Sequence, residues 1–514
     1  MENLIFLLGP HALLCPSLPL AAALNSRTDA TPIPRRSGRR GTRLSMSAVT
    51  AKTTLPSKES SDGEDAFDWL DQWYPFAPLC DLDLRAPHGK MVLGLNVVAW
   101  HDRGAGEWRV FDDVCPHRLA PLSEGRIDHK GRLQCAYHGW CYDGAGTCKF
   151  IPQAPALGPP VHKNSKACVA SYPCVVQNKM WFYPRTEAEY KDVLQRKRPP
   201  YIPEIDDPSY FTAFGMRDLH YGYDILIENI IDPAHLPHAH KGLVPKSCMV
   251  DNNDPGRYER SINSFTVEYD QEGGEPIKMK IQEESVTGFL CALPGGSTRF
   301  TAPCTYQGTP DNKVATAGKT KPWLMLVALC IPVAPGRSRI IYAFPFNSGP
   351  WVYKIMPRWF IHLNDNSVLD SEHYLLHLEE RKYAEKGLDN WRDACYVPTS
   401  SDRMVVAFRN WFRNALPTLL CFIFLGFNRY WSHVIQCTSC SAALKAMKAL
   451  EVALQVASVA VVGFLAVAKG TLVMSTVQRT LVVSAAVLCF AASRWLADFI
   501  EKSFYFQDYV HAEH

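Results

Sequence analysis

The sequence predicts an α+β protein with an all-β N-terminal domain, a domain of antiparallel strands and helices, and an apolar helical C-terminal region. Three observations support this fold class. Runs rich in β-branched and aromatic residues, such as MVLGLNVVAW, surround two short loops that each hold a cysteine and a histidine. Alternating runs such as WLMLVALCIPVA and RIIYAF follow in the middle of the chain, and uncharged apolar segments occupy its C-terminal part.

The N-terminal residues 1–50 are rich in arginine, serine and threonine, with Glu2 and Asp29 as their acidic residues. This composition predicts a chloroplast transit peptide. The uncharged stretch LIFLLGPHALLCPSLPLAAAL also resembles the apolar part of a secretory signal, but no basic region precedes it. A two-step targeting signal is therefore kept as the alternative to simple chloroplast import. Residues 51–71, which include SKESSDGEDAFD, are expected to form a linker.

The charge of the chain argues against a nucleic-acid-binding protein. The net charge is +3, and residues 1–50 carry a surplus of four positive charges, which leaves about −1 for the remainder. A hydrophobic content of 47% in 514 residues is sufficient for the cores of two or three domains.

Two loops in CPHRLAPLSEGRIDHKGRLQCAYHGW each pair one cysteine with one histidine: Cys115 with His117, and Cys135 with His138. A zinc finger usually places its two cysteines together and its two histidines together. A Rieske 2Fe–2S cluster instead holds one iron by two thiolates and the other by two imidazoles. Two opposed loops of this kind satisfy both irons, and we therefore predict a Rieske cluster on these four residues.

A second metal site is predicted in YDILIENIIDPAHLPHAHKG, where Asn229, Asp232, His235 and His240 fit the pattern N-x2-D-x2-H-x4-H. Non-haem iron that activates oxygen takes two imidazoles and one carboxylate and keeps other positions open. His235 and His240 are the predicted imidazole ligands, with His238 as the rival. Asp232 precedes a proline and fits a turn or capping residue equally well.

The carboxylate ligand is expected from the predicted helix NDNSVLDSEHYLLHLEERK, where Asp370 and Glu372 are the two candidates. They cannot both face the histidines, because residues two apart on a helix point roughly 200° from each other.

The C-terminal region contains two segments without charge. Residues 452–468 would span about 25 Å as a helix, and residues 480–493 extend further if Arg479 and Arg494 reach the membrane surface. Two membrane spans are predicted, with a buried soluble hairpin as the alternative. The apolar segment 414–428 is short for a span and is expected to form an interfacial or re-entrant helix.

The motif CTSC places Cys437 and Cys440 two residues apart in the spacing C-x2-C. This pattern alone fits a redox-regulated thioredoxin target, half of a metal site, or two structural thiols.

Several longer stretches resemble one family. WYPFAPLCDLD, FDDVCPHRLAPLSEGRID, QCAYHGWCYDGAGTCKFIPQAP, YIPEIDDPSY and the tail FQDYVHAEH are similar to the Rieske non-haem iron oxygenases of the plant and algal pheophorbide a oxygenase group. The group includes protochlorophyllide-oxidising and translocon-associated proteins. The resemblance runs from about residue 72 to the C-terminus.

The resemblance implies a Rieske domain at 72–185, a helix-grip catalytic domain at 186–412, and a membrane-anchor region at 413–514 with a transmembrane helical hairpin and the C-x2-C motif. It also implies that Asp232 couples the iron site to the Rieske histidine of a neighbouring subunit in a homotrimer. The group has aspartate where this chain has Glu372, so Glu372 is the expected ligand and Asp370 the second choice. If Glu372 binds iron, Asp370 is expected to face solvent or to be a charge on the helix surface.

By the same resemblance, reduced ferredoxin would supply electrons to the cluster, and mononuclear Fe(II) would activate O2. The expected substrate is a chlorophyll-derived tetrapyrrole, with opening of the pheophorbide a macrocycle as the first choice. The second choice is oxidation of a substituent on protochlorophyllide or chlorophyllide. The rival from another class is a non-catalytic redox sensor of the import translocon. The catalytic domain is expected to face the stroma from the thylakoid or inner envelope membrane, with thioredoxin acting on Cys437 and Cys440.

Overall fold

The structure is a computed structural model. The predicted transit peptide, the linker up to residue 66, and residues 416–427 of the apolar segment lie outside the described residues. The structure describes residues 67–240, 243, 277–293, 296–310, 313–316, 319–322, 324–347, 355–387, 391–415, 428–467 and 475–506.

The N-terminal domain consists of short antiparallel strands, as its alternating sequence predicts. These strands form three small sheets, with the orders β1-β11-β10, β2-β3-β4-β9 and β5-β6-β7-β8. The strands are β1 (Tyr74–Ala77), β2 (His88–Val92), β3 (Leu95–Asp102), β4 (Glu107–Asp112), β5 (Arg126–Ile127), β6 (Leu133–Gln134), β7 (Cys141–Tyr142), β8 (Cys148–Phe150), β9 (Ser171–Tyr172), β10 (Cys174–Gln177) and β11 (Lys179–Phe182).

The middle of the chain forms an antiparallel sheet with the order β12-β20-β19-β16-β15-β14-β13, and β17 and β18 form a separate hairpin. Strand β19 is buried along most of its length because its sequence LVALCIPVA is apolar on both faces. The strands are β12 (Phe214–Leu219), β13 (Lys280–Ser285), β14 (Gly288–Leu293), β15 (Gly296–Thr301), β16 (Thr305–Pro310), β17 (Lys313–Thr316), β18 (Lys319–Pro322), β19 (Leu326–Ala334) and β20 (Arg337–Ala343).

Helices pack on this sheet and extend from it. The buried side chains of α4 and α8 join those of the sheet in one apolar core. The helices are α1 (Glu187–Tyr190), α2 (Val193–Arg196), α3 (Pro203–Asp206), α4 (Tyr223–Ile231), α5 (Leu236–Ala239), α6 (Arg358–Lys386), α7 (Trp391–Ala394), α8 (Arg403–Ala415), α9 (Arg429–Ser432), α10 (Thr438–Val467) and α11 (Thr476–Ile500).

The β domain and the large sheet share a second apolar core. Trp73 and Phe182 of the β domain pack in the same cluster as Leu329 and Ile341 of the large sheet. The backbone N–H groups of residues 93 and 94 also donate to the carbonyls of residues 332 and 333, both at 2.8 Å. This packing and these hydrogen bonds join the two domains through buried contacts.

The long helix α6 buries polar side chains on the side that faces the rest of the domain. His362, Asn366, Ser371 and Glu372 are each 4% exposed or less. Burial of a polar side chain costs free energy unless it finds a partner. This helix therefore carries the polar contacts that position a site as well as apolar packing.

The C-terminal helices α10 and α11 pack against each other. Helix α10 has 30 residues, and α11 also reaches 30 when it is continued through the π-helical turn Glu501–Tyr505, so both are long and apolar enough to cross a membrane. Thirty residues span about 45 Å as a helix, against a hydrocarbon core of about 30 Å. Large apolar side chains remain exposed along both helices, for example Val459 at 71% and Leu488 at 68%. These exposed apolar faces are not those of a buried soluble hairpin.

Candidate functional site

The two Cys/His loops adopt the same local geometry. The N–H of Cys115 donates to the carbonyl of Ala120 at 2.8 Å, and the N–H of Cys135 donates to the carbonyl of Trp140 at 2.9 Å. Each loop connects two short strands, β4 to β5 and β6 to β7. Both cysteines are 1% exposed. The loops therefore present their thiols to the interior of the domain.

The two histidines lie outside the thiols. The rings of His117 and His138 are 4.4 Å apart, and His117 stacks on Trp140 at 4.5 Å and 11°. The Tyr142 hydroxyl lies 3.1 Å from the Cys115 Sγ. A buried pair of thiols below a more exposed pair of imidazoles fits a 2Fe–2S cluster with its imidazole-held iron toward the surface. Hydrogen bonds to the sulfurs, such as the one available from Tyr142, tune the potential of such a cluster.

A second constellation forms where α4 ends and α6 passes behind it. The Glu372 Oε2 lies 3.5 Å from the His235 Nε2 and 3.3 Å from the His240 Nε2. One ligand atom from each of the three residues lies within 4.8 Å of the other two. Two imidazoles and one carboxylate in this arrangement fit a mononuclear iron with open positions.

Neighbouring groups fix the orientation of these side chains. The Ser371 hydroxyl donates to the Val368 carbonyl at 2.7 Å, so its oxygen accepts the Nδ1–H of His240 at 2.8 Å. When a metal is bound, this contact would keep the proton of His240 on Nδ1 and leave the Nε2 lone pair for the metal. The Asn229 Nδ2 donates to the Glu372 Oε2 at 3.0 Å. The predicted site residue Asn229 thus orients the carboxylate.

Asp232 lies beside this constellation. Its Oδ2 is 3.6 Å from the His235 Nδ1, longer than a hydrogen bond, and its Oδ1 accepts from the Ala234 N–H at 2.8 Å. The turn interpretation of Asp232 therefore holds in this chain, and the residue is also near enough to influence His235.

The charges of the three residues compensate each other. Burial would raise the pKa of Glu372, but hydrogen bonding and charge attraction from His235 and His240 outweigh burial and hold it at about 2. Burial would lower the pKa of His235, but Asp232 and Glu372 raise it to about 10. Such shifts arise when opposite charges lie within a few ångströms of each other. The carboxylates of Asp232 and Glu372, which stabilise the protonated form of His235, would stabilise a bound cation in the same way.

Tyr221 is a further residue near the site, and the sequence offered no motif for it. It is fully buried, and its hydroxyl makes no hydrogen bond within the described residues. Burial, followed by the negative charge of Glu372, raises its pKa well above the usual value. Tyr221 therefore remains a neutral O–H donor near the carboxylate.

Asp370 lies in a different environment from Glu372. Its two carboxylate oxygens form ion pairs with Arg217 of β12 and Arg429 of α9, and both arginine side chains are 2% exposed. Asp370 is not one of the residues that converge on the two histidines. The expectation that it faces solvent is wrong, because the helix turns it toward two buried guanidinium groups. His238, the rival histidine, is exposed and also lies outside the constellation.

Cys437 and Cys440 are buried at the start of α10, at 2% and 1% exposure. Their thiols lie next to the imidazoles of His362 and His433. The sequence analysis missed both histidines. His433 stands four residues before Cys437 and could have been noticed, whereas His362 is too remote in sequence to be linked to the motif.

Two family models match the chain. The Rieske [2Fe-2S] domain matches residues 72–173, which contain both Cys/His loops. The pheophorbide a oxygenase model matches residues 300–390, which include β16, β19, β20 and all of α6. The first match therefore contains all four Cys/His residues, and the second contains Glu372 but neither His235 nor His240.

Curated relatives match over most of their length. The chain is 45% identical to protochlorophyllide-dependent translocon component 52 of Arabidopsis thaliana, covering 88% of this chain and 86% of the relative. It is 43% identical to flavonoid 8-hydroxylase 2 of Ocimum basilicum, covering 91% of each. It is 33% identical to pheophorbide a oxygenase of Arabidopsis thaliana, covering 89% of this chain and 86% of the relative.

A crystal structure of dicamba monooxygenase shares the fold, with a TM-score of 0.51 and 18% identity over 68% of this chain and 98% of that one. Together with the curated relatives, this match confirms the predicted fold class and enzyme class. It also confirms the predicted cofactors, a Rieske 2Fe–2S cluster and a mononuclear iron that uses O2. The chain belongs to the Rieske non-haem iron oxygenases, in the pheophorbide a oxygenase group.

Proposed function

We propose that this protein oxygenates a chlorophyll-derived tetrapyrrole in a chloroplast membrane. The observation that carries the proposal is the convergence of His235, His240 and Glu372 within 4.8 Å in a chain that also presents paired Cys/His loops. A sensor without catalysis has no need of a second, buried set of iron ligands. We assign these three residues to the mononuclear iron, and the four residues of the loops to the Rieske cluster.

In this proposal, the mononuclear iron supplies oxygen activation when it is bound. The chain holds the site in shape around it. Asn229 and Ser371 fix the directions of Glu372 and His240 before substrate arrives, and Tyr221 provides a neutral hydrogen-bond donor close to the carboxylate. Preset hydrogen bonds of this kind reduce the reorganisation that a reaction would otherwise need.

Two reactions on a tetrapyrrole remain candidates. Opening of the pheophorbide a macrocycle is supported by the matching pheophorbide a oxygenase model and by the relatives of that name. Oxidation of a substituent on protochlorophyllide is supported by the higher identity, 45%, to a relative whose name includes protochlorophyllide. The 43% identity to a flavonoid 8-hydroxylase makes a flavonoid a third substrate to test.

The remaining assignments belong to the same proposal. Reduced ferredoxin would donate electrons, and Asp232 would couple neighbouring subunits of a homotrimer. The chloroplast relatives and the two apolar helices support a chloroplast membrane. We place the protein in the thylakoid or inner envelope with its catalytic domain in the stroma, and the domain limits follow the predicted boundaries at 50, 71, 185 and 412.

The test uses reduced full-length protein, incubated without oxygen with pheophorbide a, protochlorophyllide or a flavone and then exposed to oxygen. Pheophorbide a that gains two oxygen atoms and loses its macrocycle absorption supports ring opening. A single added oxygen on protochlorophyllide, with the macrocycle intact, supports substituent oxidation. Reaction of the flavone alone would overturn the tetrapyrrole assignment.

Two variants on the same helix provide the controls. Glu372→Ala should lose the reaction, whereas Glu385→Ala changes an exposed residue and should retain it. A protein that binds cluster and iron but converts none of the three compounds would favour the redox sensor of the import translocon.

A further inference from the structure

Four buried side chains meet where the C-terminal helices join the catalytic domain. Cys437 and Cys440 lie at the start of α10, His433 follows α9, and His362 lies in the second turn of α6. Each is 2% exposed or less. One potential ligand atom from each lies within 4.8 Å of the other three. This cluster is separate from both iron sites.

The distances within the cluster match tetrahedral coordination. The His362 Nδ1 lies 3.3 Å from the Cys440 Sγ and 3.4 Å from the Cys437 Sγ, and the His433 Nε2 lies 3.2 Å from the Cys440 Sγ. Zinc binds sulfur at about 2.3 Å and nitrogen at about 2.0–2.1 Å, so a tetrahedral angle places sulfur and nitrogen ligands about 3.5 Å apart. The side chains are thus already close to the spacing that a zinc ion requires.

The outward-facing nitrogens of both imidazoles are held by one strand. The His362 Nε2 lies 2.9 Å from the carbonyl of Phe214, and the His433 Nδ1 lies 2.6 Å from the carbonyl of Met216. A carbonyl only accepts hydrogen bonds, so these two nitrogens carry the protons. The other nitrogen of each ring then presents a lone pair to the thiols. Metal-binding histidines are commonly oriented by a backbone carbonyl in this manner.

We propose that Cys437, Cys440, His362 and His433 form a Cys2His2 site that binds one zinc ion. The protein supplies all four ligands, which is the pattern of a structural site without an open position for substrate. The ion would tie α6, which also carries Glu372, to the base of the membrane-anchor helices. This inference does not depend on which substrate the oxygenase uses.

The site decides between the alternatives that the C-x2-C motif left open. The segment HVIQCTSC supplies three ligands in the order H-x3-C-x2-C, and α6 supplies the fourth from a distant part of the sequence. A thioredoxin target must expose a sulfur to attack, whereas these sulfurs are 2% and 1% exposed. Apolar side chains surround the cluster, which favours a dry, stable metal site: Val434, Leu444, Leu496, Ile500 and Phe504.

The experiment is metal analysis and zinc-edge X-ray absorption on the full-length protein, purified with its iron cofactors in detergent, without a polyhistidine tag or added zinc. We expect about one zinc per chain besides the iron, with a first shell of two sulfurs at about 2.3 Å and two nitrogens at about 2.0–2.1 Å. Zinc absorption is measured independently of the iron sites and of catalysis. These measurements on the parent protein need no variant to fold.

Variants then assign the ligands. The double variant with Cys437→Ser and Cys440→Ser should keep less than about one-tenth of the zinc, because both thiolate ligands are removed. It should retain the Rieske EPR signal. Cys168→Ser, a half-buried cysteine in the β domain, should retain the zinc. His433→Cys should still bind zinc, with a third sulfur in its first shell.

The proposal is overturned if the parent protein contains no stoichiometric zinc, if its zinc has no sulfur ligands, or if the double variant retains it. The proposal is also overturned if the site holds iron, so that the chain contains a fourth iron besides the two of the Rieske cluster and the mononuclear one. A disulfide between Cys437 and Cys440, in protein trapped with a thiol-alkylating reagent, would equally overturn it.

Discussion

Asp370 should stabilise the catalytic domain without binding iron, and Asp370→Ala tests this role. The substitution leaves Arg217 and Arg429 without their shared carboxylate, and both side chains are 2% exposed. Removing one partner of a buried ion pair costs about 3–5 kcal/mol, because a charge is left buried and uncompensated. For a domain of roughly 150–250 residues, such a loss lowers the apparent Tm by roughly 6 °C or more.

Thermal unfolding of the detergent-purified protein, followed by circular dichroism, measures the effect. Asp83→Ala is the matched control, since Asp83 pairs with Arg85 at the surface, where the side chains are 40% and 80% exposed. An exposed pair contributes about 1 kcal/mol or less, so the control should shift the Tm by only a few degrees at most. Asp370→Asn keeps an acceptor oxygen and should fall between the two.

Iron analysis of the same samples separates stability from ligation. Asp370→Ala should retain mononuclear iron at a temperature where it is folded. If its Tm equals that of the parent, the ion pairs do not contribute as the burial of Arg217 and Arg429 implies. If Asp370→Ala is folded and lacks only the mononuclear iron, Asp370 is the ligand and the reasoning is refuted.

Three further outcomes are expected. Glu372→Ala should lose the mononuclear iron and the oxygenase activity with an unchanged Rieske EPR spectrum, and Glu372→Asp should retain both; iron at full occupancy in Glu372→Ala would contradict the assignment. Cys115→Ser or His138→Ala should abolish the EPR signal of the reduced cluster, and a surviving unchanged signal would exclude that residue as a ligand. Burial of Glu380 raises its pKa to about 7, above the ordinary value of 4.5, so the folded protein holds a proton that the unfolded chain releases, and stability falls as pH rises between these two values. Glu380→Gln keeps the acceptor for the Gly222 N–H. The variant should unfold at a higher temperature than the parent at about pH 8 but not at about pH 4. If the variant and the parent have the same Tm at each pH, the pKa of Glu380 is not raised.

Local sequence was sufficient to locate both candidate iron sites. Cys115 and His117 lie in one tight hydrogen-bonded loop, so their spacing alone places them side by side. His235 and His240 flank a single helical turn, and their distance is limited by the few residues between them. The alternation of apolar residues likewise indicated the strands, because one face of each is buried.

The choice between Asp370 and Glu372 needed the tertiary structure. A helix places the two residues on different sides, but the helix itself does not determine which side meets the histidines. That is decided by Arg217, which is 153 residues away along the chain from Asp370, and by Arg429, 59 residues away. No local pattern relates these positions.

The sequence by itself therefore determined the family, and it predicted the two Cys/His pairs and the two histidines of the candidate iron site, because each depends on residues that are neighbours along the chain. Only the tertiary structure decided which carboxylate faces those histidines and that His362 and His433 complete a cluster with the C-x2-C motif. The physical reason is that buried charges and potential metal ligands must find their partners across the packed core, and those partners come from segments whose distance along the chain carries no signal.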